Sequence, residues 1–518
     1  RIEGISNFFA SSRRGNFSSF LSKRHLHHPT NPGLSVTSPV AETQNIRPWK
    51  EIPGPPSLPI IGPMFSFLPG GKLCGYKGVK LSEKLYQLYG PIVRFDGVFG
   101  GQSMILLFHP ETIEHVLRSE EPMPVRPGLQ SLEYYRKRHN KLYDPTRITG
   151  LGSDHGENWR DFRTKVNPIM MQPKTIKLYT DVLEEVSNDL VARLKSVRDE
   201  NNRITKKFNV EMNLWALESI GVVALGTRLN CFDPSLPEDS PVKKLIQNVQ
   251  DIFNTAEKLD FGFSPWRLFS TPLFKKAMKI YEEQERLTKY FIDQGIKKLE
   301  ESKRNSAESS NAEKPILDKL LDIDVRVAHI TASDMLMAGA ANTAIATLYL
   351  LAINPEKQNK LREEIMTKRA RRPFLRACVK EAMRVLPVVS GSVRLATKEH
   401  NLLGYRIPKD VLIVFSHQYM SIMESNYPRP HEYIPERWLA EKGDPLYHGN
   451  THPFVMVPFG FGVRSCIGRR IAELEMETMV SKMVENFKME WTSSEPLQIA
   501  PTSLNYITEP FHFVFKDL

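Results

Sequence analysis

Apolar and polar positions divide the chain into three stretches of different rhythm. From Glu111 to about Leu386, apolar side chains recur at the i, i+3, i+4, i+7 spacing that lines one face of a helix. The clearest runs are Lys177 to Val197, Val210 to Leu225, Leu273 to Glu301 and Glu356 to Met366. Before them, Ile92-Val-Arg-Phe95 and Ile105-Leu-Leu-Phe108 are short apolar runs of strand type. Asn305 to Glu313 is rich in Ser and Asn and is expected to link two helices. Beyond Pro387 the pattern breaks into short strands and loops, then one last helix from about Ile467 to Asn486, then alternation from Phe511 to Phe515. The expected fold class is therefore α+β and mostly α-helical, with a smaller β-rich portion. No internal repeat is found.

The first 45 residues obey neither rhythm. They are rich in Ser and Arg, nearly free of acids, and carry Phe9, Phe17, Phe20 and Leu21, the composition of a mitochondrial transit peptide or a disordered basic tail. Residues 46–65 form a connector stiffened by Pro53-Gly-Pro-Pro-Ser-Leu-Pro59 and by Pro63, because proline fixes φ and blocks helix. Residues 66–518 are expected to fold as one body. The net charge is +11, and the first fifty residues supply +5 of it. The remainder is mildly basic, without the dense basic helix or basic-aromatic alternation of a nucleic-acid binder, so no nucleic-acid partner is expected. No run of 18 uninterrupted apolar residues occurs, so no membrane-spanning helix is expected. The four cysteines, Cys74, Cys231, Cys378 and Cys466, are far apart, which argues against a disulfide framework and a structural zinc site.

Cys466 stands in a different setting from the other three. It lies in Phe459-Gly-Phe-Gly-Val-Arg464-Ser-Cys-Ile-Gly468, just ahead of the last helix. Gly460 and Gly462 permit a tight turn, and Gly468 permits close approach of the backbone to a flat ligand. The helix N-terminus favours an anionic sulfur. Arg464 is placed to meet a carboxylate, and Phe459 to shield the sulfur from water. Farther upstream, Glu381 and Arg384 share one helix face, as do Trp159 and Arg163.

These segments resemble the cytochrome P-450 family over roughly residues 50 to 518. The cysteine loop is similar to that family's haem-binding loop, Glu381-Ala-Met-Arg384 to its E-x-x-R pair, and Pro435-Glu-Arg437-Trp438 to the segment whose arginine completes a triad. The resemblance implies haem b (iron protoporphyrin IX) held by Cys466, with Phe459, Arg464 and Gly468 around it. Trp159, Arg163 and Arg394 would face its propionates, and the Glu381–Arg384–Arg437 triad would hold the pocket together. It implies a monooxygenase that inserts one atom of O2 into a small apolar substrate, steroid-like or xenobiotic. Leu129 to Tyr135, Phe253 to Phe269, Ala338 to Thr343, Val388 to Ser390 and Leu504 to Ile507 would wall the pocket. The basic tail, Arg469-Arg470, and Arg376 with Lys380 resemble the mitochondrial branch, especially its arthropod members. That branch implies electrons from NADPH through ferredoxin reductase and a two-iron ferredoxin docked on Arg376, Lys380, Arg469 and Arg470. The matrix side of the inner membrane is the implied location. Phe261, Phe263, Trp266, Leu268 and Phe269, beside Arg267, Lys275 and Lys276, suit peripheral membrane contact or the substrate entrance.

One segment departs from the pattern. Where the family carries an acid and a threonine on the helix above the haem, this chain has Ala338-Gly-Ala-Ala341-Asn342-Thr343. Asn342 and Thr343 are the candidate catalytic residues, although a one-residue offset turns a helical side chain by about 100°. Gly339 to Pro355 is short by roughly one turn, and a helix and loop between Glu364 and Glu381 are missing. Two alternatives therefore stay open: a peroxide-rearranging isomerase or dehydratase, and a haem-binding protein without turnover or an incomplete gene sequence.

Overall fold

A computed structural model describes residues 46–518 except 100, 140–148, 205–207, 263, 306–312, 338–340, 369–370 and 501–503. The basic tail, most of the 305–313 linker, Phe263 and Ala338-Gly339 lie outside the described residues.

The architecture is α+β with helices in the majority. The central helix Phe208–Leu225 is apolar on every side, and only Asn209, Val210 and Asn213 escape burial. A helix of that composition must sit inside the protein. Its two buried carboxylates are neutralised from outside the helix, Glu211 by Arg193 at 3.0 Å and Glu218 by Arg228. Around it pack Thr180–Val197, Val325–Leu336 and Ala341–Ala352; Arg469–Asn486 packs on the first and last of these, and the buried residues of all five helices form one continuous core. A window of 18 residues between Val325 and Ala352 has a mean hydropathy of 1.5, that of a membrane span, yet 80% of the window is buried inside the protein.

Strand Ile92–Phe95 pairs antiparallel with Met104–Leu107, which pairs parallel with Leu412–Phe415, which pairs antiparallel with Ser392–Leu395. Alternate residues of this sheet, such as Ile105, Leu107, Ile413 and Phe415, are fully buried. The sheet has its own core, separate from that of the helices. Near the C-terminus, Phe513–Asp517 pairs antiparallel with Phe487–Trp491 and with Arg203–Ile204.

Several expected elements need correction. The helix expected from Lys177 is two helices, Pro173–Lys177 and Thr180–Val197, joined at Leu178 and Tyr179. The Tyr179 hydroxyl accepts the Ile316 N–H at 2.8 Å, a tertiary contact that the periodicity does not register. The closing strand begins at Phe513, not Phe511. The helix expected from Leu273 continues to Asn305. Of the helix expected to cross above the site, Val325–Leu336 and Ala341–Ala352 are described as separate elements.

Candidate active site

The loop before Arg469–Asn486 turns because Gly460 and Gly462 take φ of +71° and +68°, where a side chain would be strained. Backbone bonds close it: Cys466 N–H to the Phe459 carbonyl at 2.8 Å, Gly460 N–H to Val457 at 2.9 Å, and Ser465 N–H to Gly462 at 3.1 Å. Burial pushes the Cys466 thiol up. The Gly468 N–H and the guanidinium groups of Arg163, Arg126 and Arg469 pull it down. The buried cysteines, Cys231 and Cys378, are both raised by burial, Cys378 to about 12, and each has one cation lowering it, Arg228 and Lys360, where Cys466 has three.

Cys466 opens into a cavity of about 1920 Å³. One wall of that cavity carries Arg126, Arg163, Arg394 and Arg464. Arg464 lies over the Trp159 indole, 3.7 Å from the ring centroid, and its nitrogens donate to the carbonyls of Pro124 (2.9 Å), Leu151 (3.2 Å) and Asp154 (3.1 Å). Arg163 donates to the Ser465 carbonyl at 2.8 Å, leaving its buried Nε without a partner. Arg394, 4% exposed, is paired with Glu120. Burial and mutual repulsion lower these guanidinium groups, Arg464 to about 9 and Arg163 to about 10. Arg126 is lowered by burial and by Arg394. Glu120 faces Arg394 and Arg464, and burial raises its pKa. Positive charge thus accumulates on this wall with little to balance it.

A porphyrin with two carboxylates fits these residues. The four guanidinium groups outnumber the carboxylate, Glu120, that faces them, the Arg163 Nε lacks an acceptor, and a sulfur donor opens on the same cavity. Gly468, also on the cavity, has an ordinary φ of −87°, and a Cβ there would meet no atom within 4 Å. Its backbone therefore does not require glycine; open space beside it leaves room for a close-lying occupant. Phe459 lines the cavity too, with Arg469 against its ring at 5.3 Å.

Glu381, Arg384 and Arg437 come together, all fully buried. Arg384 forks onto both Glu381 oxygens at 2.9 and 2.7 Å, and Arg437 reaches one of them at 3.1 Å. The Trp438 indole and Ile434 N–H donate to the same carboxylate at 3.0 and 3.1 Å. Arg384 also holds the carbonyls of Ser421, Pro430 and Glu432, so one ion pair organises the whole 421–438 stretch.

Arg376, Lys380, Arg469 and Arg470 are all exposed. Arg376 is bonded to Glu477 at 3.1 Å and Arg469 to Glu473 at 2.9 Å. The Lys380 ammonium rests 4.0 Å from the Trp438 ring centroid, and burial and Arg469 lower its pKa. Phe261, Leu268 and Phe269 are more than half exposed and also border the cavity, so the entrance and surface readings coincide there. Trp266 instead turns inward, stacked on Phe274 at 5.1 Å.

Asn342 and Thr343 both line the cavity. Asn342 Oδ1 accepts the Ile507 N–H at 3.1 Å. Sequence reasoning missed Arg126, whose only signal is its place between prolines in Pro124-Val-Arg-Pro127. It also missed Arg136 and Asp334, joined at 2.8 Å across the cavity lining.

The chain is similar to known proteins over most of its length. The family profile described as "Cytochrome P450" matches residues 52–515. Cytochrome P450 CYP12A2 of Musca domestica is 35% identical, over 93% of this chain and 94% of its own length. Probable cytochrome P450 12a5, mitochondrial, of Drosophila melanogaster is 34% identical over the same shares. Cytochrome P450 12b1, mitochondrial, of Drosophila acanthoptera is 34% identical over 87% of each chain.

Proposed function

The chain belongs to the cytochrome P450 family of haem-binding monooxygenases, and from that premise we propose that it oxidises a small apolar molecule, steroid-like or xenobiotic, in the mitochondrion. The observation that carries this reading is the cavity bounded by the Cys466 sulfur and by four arginines.

Haem, when bound, supplies the activation of O2 and the insertion of one oxygen atom. Cys466 would hold the iron, its loop closed by the bonds that fix the sulfur relative to Arg469–Asn486. Arg126, Arg163, Arg394 and Arg464, with Trp159 beneath Arg464, would hold the two carboxylates. The Glu381–Arg384–Arg437 cluster fixes the 421–438 stretch and touches no substrate. Apolar side chains, among them Leu129, Phe253, Ala341, Val388 and Ile507, would exclude water and orient the substrate. With Asn342 tied to Ile507 and Ala341 in place of an acid, proton delivery falls to solvent or to Thr343.

Electrons would come from NADPH through ferredoxin reductase and a two-iron ferredoxin on Arg376, Lys380, Arg469 and Arg470. Two of the three relatives named above carry "mitochondrial" in their names. The exposed Phe261, Leu268 and Phe269 suit contact with the matrix face of the inner membrane. Residues 1–45 would be the transit segment, 46–65 the connector and 66–518 the haem domain. Reconstitution with ferredoxin, its reductase and NADPH tests the reading. The expected result is reductant and oxygen consumption with a hydroxylated product; turnover of a hydroperoxide without reductant, and none with it, would contradict it.

A further inference from the structure

The side chain that replaces the usual alcohol above the site is held in one orientation by its neighbour. The Ile507 backbone N–H reaches the Asn342 carboxamide at 3.1 Å. An N–H needs an acceptor, so the oxygen of the amide must face Ile507 and the nitrogen must face elsewhere. Among the described residues, that Nδ2 group donates to no protein atom. Asn342 is half-buried and borders the cavity into which Cys466 opens. The walls contributed by Ala341, Val388, Val389, Leu504 and Ile507 have no hydrogen-bonding side chains.

The acceptor contact is itself well anchored. Asn505, two residues before Ile507, donates its backbone N–H to Val388 at 2.7 Å. Its side-chain amide donates to the Pro387 carbonyl at 2.7 Å and to Gln418 Oε1 at 3.2 Å. Strand Tyr506–Thr508 is thereby held on one side by the 387–388 backbone and on the other by Asn342. A donor fixed in this way is organised before a ligand arrives, so little ordering cost falls on binding.

We propose that Asn342 is a specificity residue: its Nδ2 protons select apolar substrates that carry an acceptor oxygen, such as a ketone, ether or ester carbonyl. Bonding of that oxygen fixes the substrate's position relative to the sulfur side of the cavity. The proposal rests on the haem-monooxygenase reading above and names the substrate class within it. A hydrocarbon of the same shape leaves the amide unpaired, and a site built around a donor rejects such analogues.

The test uses haem-loaded full-length protein and a matched pair of probes, 5α-androstan-3-one and 5α-androstane, with binding followed by the shift of the Soret band. The carbon monoxide spectrum of each preparation is recorded first, so that failure of the haem-thiolate reading is seen separately. The unaltered protein should bind the ketone about threefold to tenfold more tightly, the worth of one net hydrogen bond. Asn342→Asp keeps an oxygen for Ile507 N–H but removes the donor, and Asn342→Leu removes both. Each should bring the ratio to about one, with hydrocarbon binding retained in Asn342→Leu. Equal binding of both probes by the unaltered protein, binding of neither while the carbon monoxide band is intact, or an undiminished ketone preference in Asn342→Asp would each overturn the proposal.

Discussion

Arg464 lies over Trp159, its guanidinium carbon 3.7 Å from the indole centroid, while three carbonyls accept hydrogen bonds from its N–H groups. The contact joins the cysteine loop to helix Gly156–Met170 and keeps a strongly desolvated cation at the edge of the cavity. A cation–π contact of this kind contributes about 2 kcal/mol when shielded from water. Trp159→Leu should therefore weaken haem retention, and Trp159→Phe should restore part of it. The rate of haem transfer to an acceptor protein measures this.

Glu381 is the single carboxylate between two fully buried arginines. Removing its charge leaves Arg384 and Arg437 uncompensated, at a cost of about 3–5 kcal/mol. Glu381→Gln should give little folded haem protein, whereas Arg376→Gln, at an exposed pair, should give normal yield. Soluble expression together with the carbon monoxide spectrum tells the two apart.

Glu475 lies within Arg469–Asn486, fully enclosed, with one oxygen unpartnered, and burial raises its pKa to about 8. A carboxyl raised in the folded state favours its protonated form there. Its contribution is fully present below the unfolded value and is lost as pH rises toward 8. His417 runs the other way: burial lowers it to about 4, so its contribution falls as pH drops from 6.5 toward 4. Comparing Glu475→Gln with the unaltered protein isolates the first effect. Between pH 5 and 8 the Tm of the unaltered protein should fall relative to that of the variant.

Gly150 has φ of +129°, and a Cβ there would come within 2.6 Å of the Arg136 guanidinium and 2.7 Å of the Asp334 carboxylate. Leu151, the next residue, gives its N–H to Asp334 at 3.2 Å and its carbonyl to Arg464. Gly150→Ala should cost about 1–3 kcal/mol through backbone strain alone. Differential calorimetry should show the loss, and a shifted haem reduction potential should accompany it as Arg464 moves.

Lys380 is a poor place to test partner docking, because it rests on Trp438, which donates to Glu381. Arg470→Glu is cleaner. It should slow ferredoxin reduction several-fold at low salt, leave the haem spectrum unchanged, and lose its effect as salt screens the charges. Stopped-flow reduction across a salt series gives the answer.

The sequence told most about the site where its chemistry is local. The turn from Phe459 to Cys466 is written in glycines six and four residues before the sulfur, and Glu381 with Arg384 is a one-turn pair. The helical body was legible where an apolar stripe and burial coincide, as in Thr180–Val197 with Leu183, Val186, Leu190 and Leu194 buried, whereas Phe208–Leu225 is apolar all round and has no such stripe. What stayed hidden was non-local. Arg126 reaches the cavity wall from a loop with no periodicity, and Asn342 meets Ile507 across 165 residues. Tyr179, at the break between two helices, accepts the Ile316 N–H, while the apolar pattern runs on past it.

Sulfur ligation by Cys466 is tested most directly by the spectrum of the reduced, carbon monoxide-bound protein. The unaltered protein should show the red-shifted Soret band of thiolate-ligated haem, and Cys466→Ser should lose it while staying folded. A band that persists in Cys466→Ser, or that never forms in haem-loaded unaltered protein, would contradict the account.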